Sequence, residues 1–433
     1  MGVGVPGSHV DVGAVGRVRP ARSPARAETV GSLLRPAALR AAVARYYDEG
    51  HSAVLAEERA RDASELRTIE DEAIREAVRR QIACGLDVVT DGEFRRWMFM
   101  NSFYDAVSGV RTDKTVSFRN ADGEDVQLRI HEIVDRLRPA DSPGAREAAF
   151  MREASGGFPF KVTFPAASIF THPLTTVVGP DGRGYTSLEE FVTDAVEIER
   201  GLVADAIRAG ATSIQFDFPL YPYLVDPAWV ARFETRGRRI EALVEAAIAA
   251  DTEVLRDIPD DVTVALHICR GNFRSSWMCE GSLEPLADRV FGELPYDAFL
   301  VEWDDRRREG GFEPIRSLRS GALMVMGIVS TKSPAMETED ALLARIRRPR
   351  QPDRRGRPVA EAGAGGPRRR SPVGDVNRWT EERGRGASQS DPCASTPRAR
   401  RRWSTRRSWS RRRGGRSIGS VPRSRRSTTG SAS

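Results

Sequence analysis

Between residues 27 and 345 short apolar runs alternate with long amphipathic stretches. Runs of four to eight apolar residues bounded by turn signals predict buried strands, and longer stretches with a 3.6-residue apolar period predict helices. Strands are expected at 28–33, 86–90, 160–164, 213–218, 262–268, 298–303 and 323–330. Helices are expected at 37–49, 53–84 (with a possible break), 188–209, 239–257, 283–291 and 338–345. Residues 104–153 interrupt the alternation. Their 111–127 part has alternating, turn-rich character and predicts a hairpin followed by a helix.

Strand-helix units repeated in this way build parallel sheets covered by helices. Seven such units predict an α/β fold, a TIM (β/α)8-type barrel that lacks its eighth strand. The expected domain plan is a disordered leader at 1–26, a barrel at 27–346 and a disordered tail at 347–433.

Composition changes the picture at the two ends. The leader is rich in Gly, Val, Arg and Pro and lacks the apolar stretch of a secretory signal. The tail holds 25 Arg, no Lys and 6 acidic residues, a net charge of +19. The rest of the chain carries −13, so an acidic body is joined to a basic tail. Such a charge binds nucleic acid nonspecifically through phosphates, but the tail contains no recognition module, and no specific nucleic-acid partner is expected. The tail also lacks apolar periodicity, so it cannot bury enough surface to offset its ordering entropy. Four cysteines, scattered at 84, 269, 279 and 393, do not make a disulfide framework, and a cytoplasmic protein is expected. No apolar run reaches the ~20 residues that span a membrane.

The candidate chemistry lies where a barrel displays it, at the carboxyl ends of the strands. His267 and Cys269 close the run Val262-Thr263-Val264-Ala265-Leu266. Residues two apart on a strand share a face, so this pair offers an imidazole and a thiolate to one ion, and zinc suits that donor set. Alone, the pair reads more readily as a core histidine and a buried cysteine. Carboxylates at neighbouring strand ends favour the metal: Glu93 in Asp91-Gly92-Glu93, Asp217 before Phe218-Pro219, and Glu302 before Trp303-Asp304-Asp305. Ser32 ends the first strand and Lys332 follows the seventh. A lysine there is either solvated or orients a carboxylate.

Five motifs carry a resemblance. They are Thr29-Val30-Gly31-Ser32-Leu33-Leu34-Arg35-Pro36, Asp91-Gly92-Glu93-Phe94-Arg95-Arg96, Phe216-Asp217-Phe218-Pro219, His267-Ile268-Cys269-Arg270-Gly271-Asn272 and Phe299-Leu300-Val301-Glu302-Trp303-Asp304-Asp305. In this order they resemble the catalytic C-terminal barrel of the cobalamin-independent methionine synthase family, especially its short single-barrel relatives. The resemblance implies a TIM barrel that uses Zn2+ to move a methyl group from 5-methyltetrahydrofolate, as its polyglutamate, to the homocysteine thiol. It implies His267, Cys269 and Glu302 as zinc ligands, and Glu93 and Asp217 as holders of the amino group. Ser32 lies in the motif that contacts the amino acid. Asp217, directly or through water, is a candidate acid for the leaving N5. Lys332 stands where long-form relatives carry a histidine, and a cation there would orient a carboxylate or a glutamate tail. Alkyl transfer to another small thiol, as in epoxide–coenzyme M transferases, is the alternative. An inactive truncated barrel is a third reading. The uroporphyrinogen decarboxylase fold is also similar, but that family does not need the His-x-Cys pair.

One departure stands out. The family's second zinc cysteine lies on the eighth strand in a Pro-x-Cys-Gly-like segment, and neither Cys279 nor Cys393 matches it. With its abrupt Arg/Ser/Gly/Pro composition, the chain beyond Arg345 reads as an out-of-frame translation of a GC-rich gene. Translating the other frames tests this, and finding no strand followed by a Cys-Gly segment refutes it. The sequence thus predicts weak zinc retention and low solubility.

Overall fold

The computed structural model describes residues 27–46, 64–96, 98–111, 115–119, 125–129, 131–173, 184–272, 276–330, 332–333 and 335–346. The expected leader, the basic tail with Cys393 and the suspected frame change lie outside these residues.

Five parallel strands form the central sheet in chain order. They are β5 (Lys161–Pro165), β6 (Ser213–Asp217), β7 (Thr263–Ile268), β8 (Ala298–Glu302) and β9 (Leu323–Gly327). Each coincides with an expected strand. The first two expected strands are reduced to single parallel bridges, Glu28 with Val88 and Val89 with Phe160. They extend the same order on the β5 side. Side chains replace the missing ladder there. Gln81 donates from Nε2 to the carbonyl of Thr90 at 2.8 Å and accepts from its N–H at 3.0 Å. Gln215 Nε2 donates to the Val30 carbonyl at 2.7 Å. Buried backbone groups need partners, and here glutamines supply them. A period-2 apolar pattern reports a buried face; it does not report which group takes the backbone hydrogen bonds.

Among the described residues the sheet ends at Glu28 on one side and at β9 on the other. β5 is buried at every position, whereas β9 is half-buried over Leu323 to Met326 and exposed at Gly327. The helix after it, Glu339–Ile346, buries no residue.

Helix positions follow the apolar period. The helix expected at 188–209 forms at Leu188–Ala209. Its inward stripe contains Phe191, Ala195, Val196, Leu202, Val203 and Ala206. Ser187 caps its start by accepting from the Glu190 N–H, and Gly210 ends it at φ 119°. The helix expected at 283–291 appears instead as a 3-10 turn, Glu284–Leu286, followed by a π turn, Asp288–Glu293. Leu283, Leu286, Ala287, Val290 and Phe291 are still buried, so the apolar positions hold while the helix type changes. The interruption at 104–153 contains two antiparallel strand pairs: β1 (Val107–Arg111) with β4 (Glu132–Pro139), and β2 (Thr115–Arg119) with β3 (Asp125–Arg129). The helix Pro143–Ala154 follows, as expected. No helix among the described residues is long and apolar enough to cross a membrane.

Candidate active site

β7 alternates between half-buried and buried positions, with Thr263, Ala265 and His267 on the half-buried face. Cys269 continues that face and is also half-buried. The two side chains therefore share the face that the strand period predicts. The neighbouring strands bring the carboxylates. Register pairs Asp217 of β6 with His267, and Asp217 Oδ1 lies 2.9 Å from His267 Nδ1. This contact leaves Nε2 as the ring nitrogen for another ligand, an arrangement in which a carboxylate orients a metal-binding imidazole. On the other side, β7 pairs with β8 up to Ile268 and Val301, so the next step sets Cys269 beside Glu302.

Asp217 is anchored from below. Gln215, two residues earlier on the same face, donates from Nε2 to Asp217 Oδ1 at 2.7 Å. Gln215 Oε1 accepts from Lys161 Nζ at 2.6 Å, and Lys161 pairs with Glu28 at 2.8 Å. A chain of polar contacts thus runs across the sheet interior from Glu28 to His267. The sequence placed Gln215 only within the expected strand at 213–218; its role needed the register of three strands.

The first two strand ends meet at Glu93. Ser32 Oγ donates to Glu93 Oε2 at 2.8 Å. Leu33 N–H donates to the Gly92 carbonyl at 3.1 Å, and Arg35 reaches the Glu93 carbonyl at 3.1 Å. Glu93 adopts φ 57° directly after Gly92 at φ 71°. Phe218, which follows Asp217, sits at φ 60°. A non-glycine residue in the left-handed region costs about 1–3 kcal/mol, and such strain gathers at functional sites. Both strained positions here fix a site carboxylate. Burial raises the Glu93 carboxyl above its usual range; Arg96 opposes this, and the Asp217 charge adds to it. Glu93 and Asp217 are therefore near enough to repel each other, a pairing that a bound cation relieves.

Arg96 is the buried countercharge of this corner. It donates from Nε to Glu147 Oε1 at 2.9 Å, from a terminal nitrogen to Glu147 Oε2, and from Nη1 to Thr163 Oγ1 at 2.5 Å. Asp91 is pushed up to about 7, chiefly by burial and next by the charge of Glu147. Its Oδ1 accepts from the Glu93 N–H at 2.8 Å, so it shapes the turn that presents Glu93.

Glu302 is crowded with donors. Its Oε2 accepts from the Arg270 N–H at 2.9 Å, and its Oε1 accepts from Lys332 Nζ at 2.5 Å and Arg308 Nη1 at 3.2 Å. Lys332 is thus a half-buried partner of a carboxylate and not a solvated cation. Burial pushes the Cys269 thiol up to about 12; Glu302 and Asp217 add to this and Lys332 opposes it. A thiol in that setting ionises when a cation binds it.

Imidazole, thiolate and carboxylate on adjacent strands form a donor set that fits zinc. Among the described residues, however, the trio with ligand atoms all within 4.8 Å of one another is Glu302, Asp304 and Glu309. Arg308 ties that trio together, pairing with Asp304 at 2.5 Å and Glu309 at 3.2 Å. His267 and Cys269 share a face with access to Glu302, but they are not drawn into an equally tight group.

Three other features were not legible in the sequence. Arg308 neutralises the carboxylates after β8. Arg270 is fully buried, and its guanidinium nitrogens make no hydrogen bond. Cys279, which the sequence did not match to the second zinc cysteine, is 1% exposed and is a free thiol, as is Cys269. Burial raises the Cys279 thiol, with Asp226 and Cys269 adding to the effect.

Comparison with known proteins supplies a context. Residues 48–355 match the family model described as the catalytic domain of the cobalamin-independent synthase. Two uncharacterized Bacillus subtilis (strain 168) proteins, YxjH and YxjG, are each 30% identical to this chain. The matches extend over 337 and 340 residues, 75% of this chain and 82% of each relative. A solved Listeria monocytogenes structure, provisionally assigned as a vitamin-B12-independent methionine synthase, superposes with a TM-score of 0.54 at 25% identity, over 73% of this chain and 83% of that one. A B12-independent methionine synthase from Shewanella sp. W3-18-1, in complex with selenomethionine, shares the fold with a TM-score of 0.53 at 20% identity, over 74% and 84%.

Proposed function

This chain belongs to the family of cobalamin-independent synthase catalytic domains, and on that premise we propose that it transfers a methyl group from 5-methyltetrahydrofolate to the thiol of homocysteine. The observation that carries this reading is His267 on β7 and Cys269 just past its end on the same face, between Asp217 and Glu302. His267 through Nε2, Cys269 and Glu302 would hold a zinc ion. Bound there, zinc lowers the thiol's pKa so that a thiolate is present at neutral pH.

The residues of the chain divide the remaining work. Glu93 and Asp217 accept the ammonium group of the amino acid, which offsets their mutual repulsion. Ser32, held on Glu93, would contact the same amino acid. In the transfer the thiolate sulfur forms a bond to the methyl carbon while the bond from that carbon to N5 breaks. N5 keeps the electron pair and takes a proton. Asp217, directly or through water, would supply that proton. Methionine is the product, and the selenomethionine complex of the Shewanella protein agrees with a pocket for that side chain.

The test is to incubate purified, zinc-supplemented protein with homocysteine and 5-methyltetrahydrofolate, as mono- and triglutamate, and to measure methionine by mass spectrometry. Coenzyme M in place of homocysteine tests the alternative acceptor. Methionine that depends on Cys269 supports the proposal. A protein that holds zinc and methylates neither thiol overturns it.

A further inference from the structure

We propose that Lys332 competes with the metal for Oε1 of Glu302, and so sets how tightly this protein holds zinc. The inference rests on the reading of Glu302 as a metal ligand, and it concerns a residue that is not itself a ligand.

Glu302 has two oxygens and three donors. Oε2 is taken by the Arg270 backbone at 2.9 Å, while Oε1 carries both cations, Lys332 at 2.5 Å and Arg308 at 3.2 Å. A dication reaching Oε1 would meet an ammonium already in contact with it. Like charges at that separation, away from bulk water, repel strongly. One cation must leave, and the two are not equivalent. Arg308 is fixed by other acids: Asp304 at 2.5 Å, Glu309 at 3.2 Å and Asp305 at 3.8 Å. It also lies over the Trp277 ring, 4.6 Å from its centroid. Lys332 has Glu302 as its salt-bridge partner among the described residues. It also sits on a flexible four-carbon stem, which makes it the cation able to swing away.

The competition has a direction. Removing the ammonium frees Oε1 and removes a repelling charge, so zinc binds more tightly. This differs from an ordinary supporting residue, whose loss weakens metal binding by roughly 10–100-fold. Zinc binding likewise releases Lys332 from its partner.

The experiment uses the full chain. Zinc dissociation constants are measured by competition with a chromophoric chelator for wild type, Lys332→Met and Lys332→Arg, with far-UV circular dichroism as the check on folding. Lys332→Met is expected to bind zinc roughly tenfold more tightly or better, on the scale of such neighbouring-residue effects. Lys332→Arg is expected to stay near wild type. Unchanged or weaker binding by folded Lys332→Met, with wild type binding zinc, overturns the competition and leaves the ligand reading standing. Zinc binding by neither protein overturns both. A second measurement needs no variant: acetylation of Lys332 in wild type, followed by peptide mass spectrometry, is expected to rise when zinc is added. Equal labelling with and without zinc also overturns the proposal.

Discussion

Replacing Arg96 with Met isolates the electrostatics of the Glu93 corner. Arg96 and Glu147 expose 5% and 6% of their side chains, and the arginine makes two bonds to the carboxylate and one to Thr163. Methionine retains most of the volume and none of the charge. Glu147 is then a buried carboxylate without a partner, which costs about 3–5 kcal/mol at neutral pH. Against a total stability of about 5–15 kcal/mol, that is a large fraction. The loss also depends on pH. Arg96 lowers the carboxyl pKa of both Asp91 and Glu93, so its removal raises them further. A carboxyl whose folded pKa lies above its unfolded value near 4 keeps a proton that the unfolded chain releases. Its contribution is full below pH 4 and is lost as pH rises through the folded value. The penalty of the variant relative to wild type should therefore be larger at pH 7.5 than at pH 5.5. Urea unfolding followed by circular dichroism at both pH values measures it. A penalty under about 1 kcal/mol, or an equal penalty at both, would refute the view that Arg96 is the countercharge holding this corner ionised.

Four further outcomes are expected. Glu93→Gln should raise the KM for homocysteine by about 10–150-fold, the worth of about 1.5–3 kcal/mol for a hydrogen bond to a charged group, while zinc content stays unchanged. Steady-state kinetics with elemental analysis reads both. Cys269→Ser should weaken zinc binding relative to wild type, measured by competition with a chromophoric chelator; an unchanged dissociation constant would remove Cys269 from the ligand set. Gln81→Leu strands the N–H and C=O of Thr90 and should cost about 1–3 kcal/mol for each group, seen as a lower thermal midpoint. In wild type, Asp91 at about 7 should make stability decline between pH 4 and 7, because the folded state holds the extra proton; Asp91→Asn should flatten that decline.

Periodicity and local motifs determined much of this protein. Apolar runs located β5 to β9, because a buried strand is a short-range pattern and survives any packing. The 3.6-residue stripe located Leu188–Ala209 with its Ser and Gly caps for the same reason. Strand alternation placed His267 and Cys269 on one face, and the order of the five motifs set the family.

Tertiary structure alone decided the partnerships. Asp217 meets His267, and Cys269 adjoins Glu302, through register between strands some 30–50 residues apart. Gln81 and Gln215 replace backbone ladders because helix and strand packing brings their amides to bare carbonyls. The sequence left Lys332 open between a solvated cation and one that orients a carboxylate, because the local chain does not say which carboxylate it would meet. It is half-buried against Glu302, 30 residues earlier at the next strand end, because a lysine taken from water needs that charge.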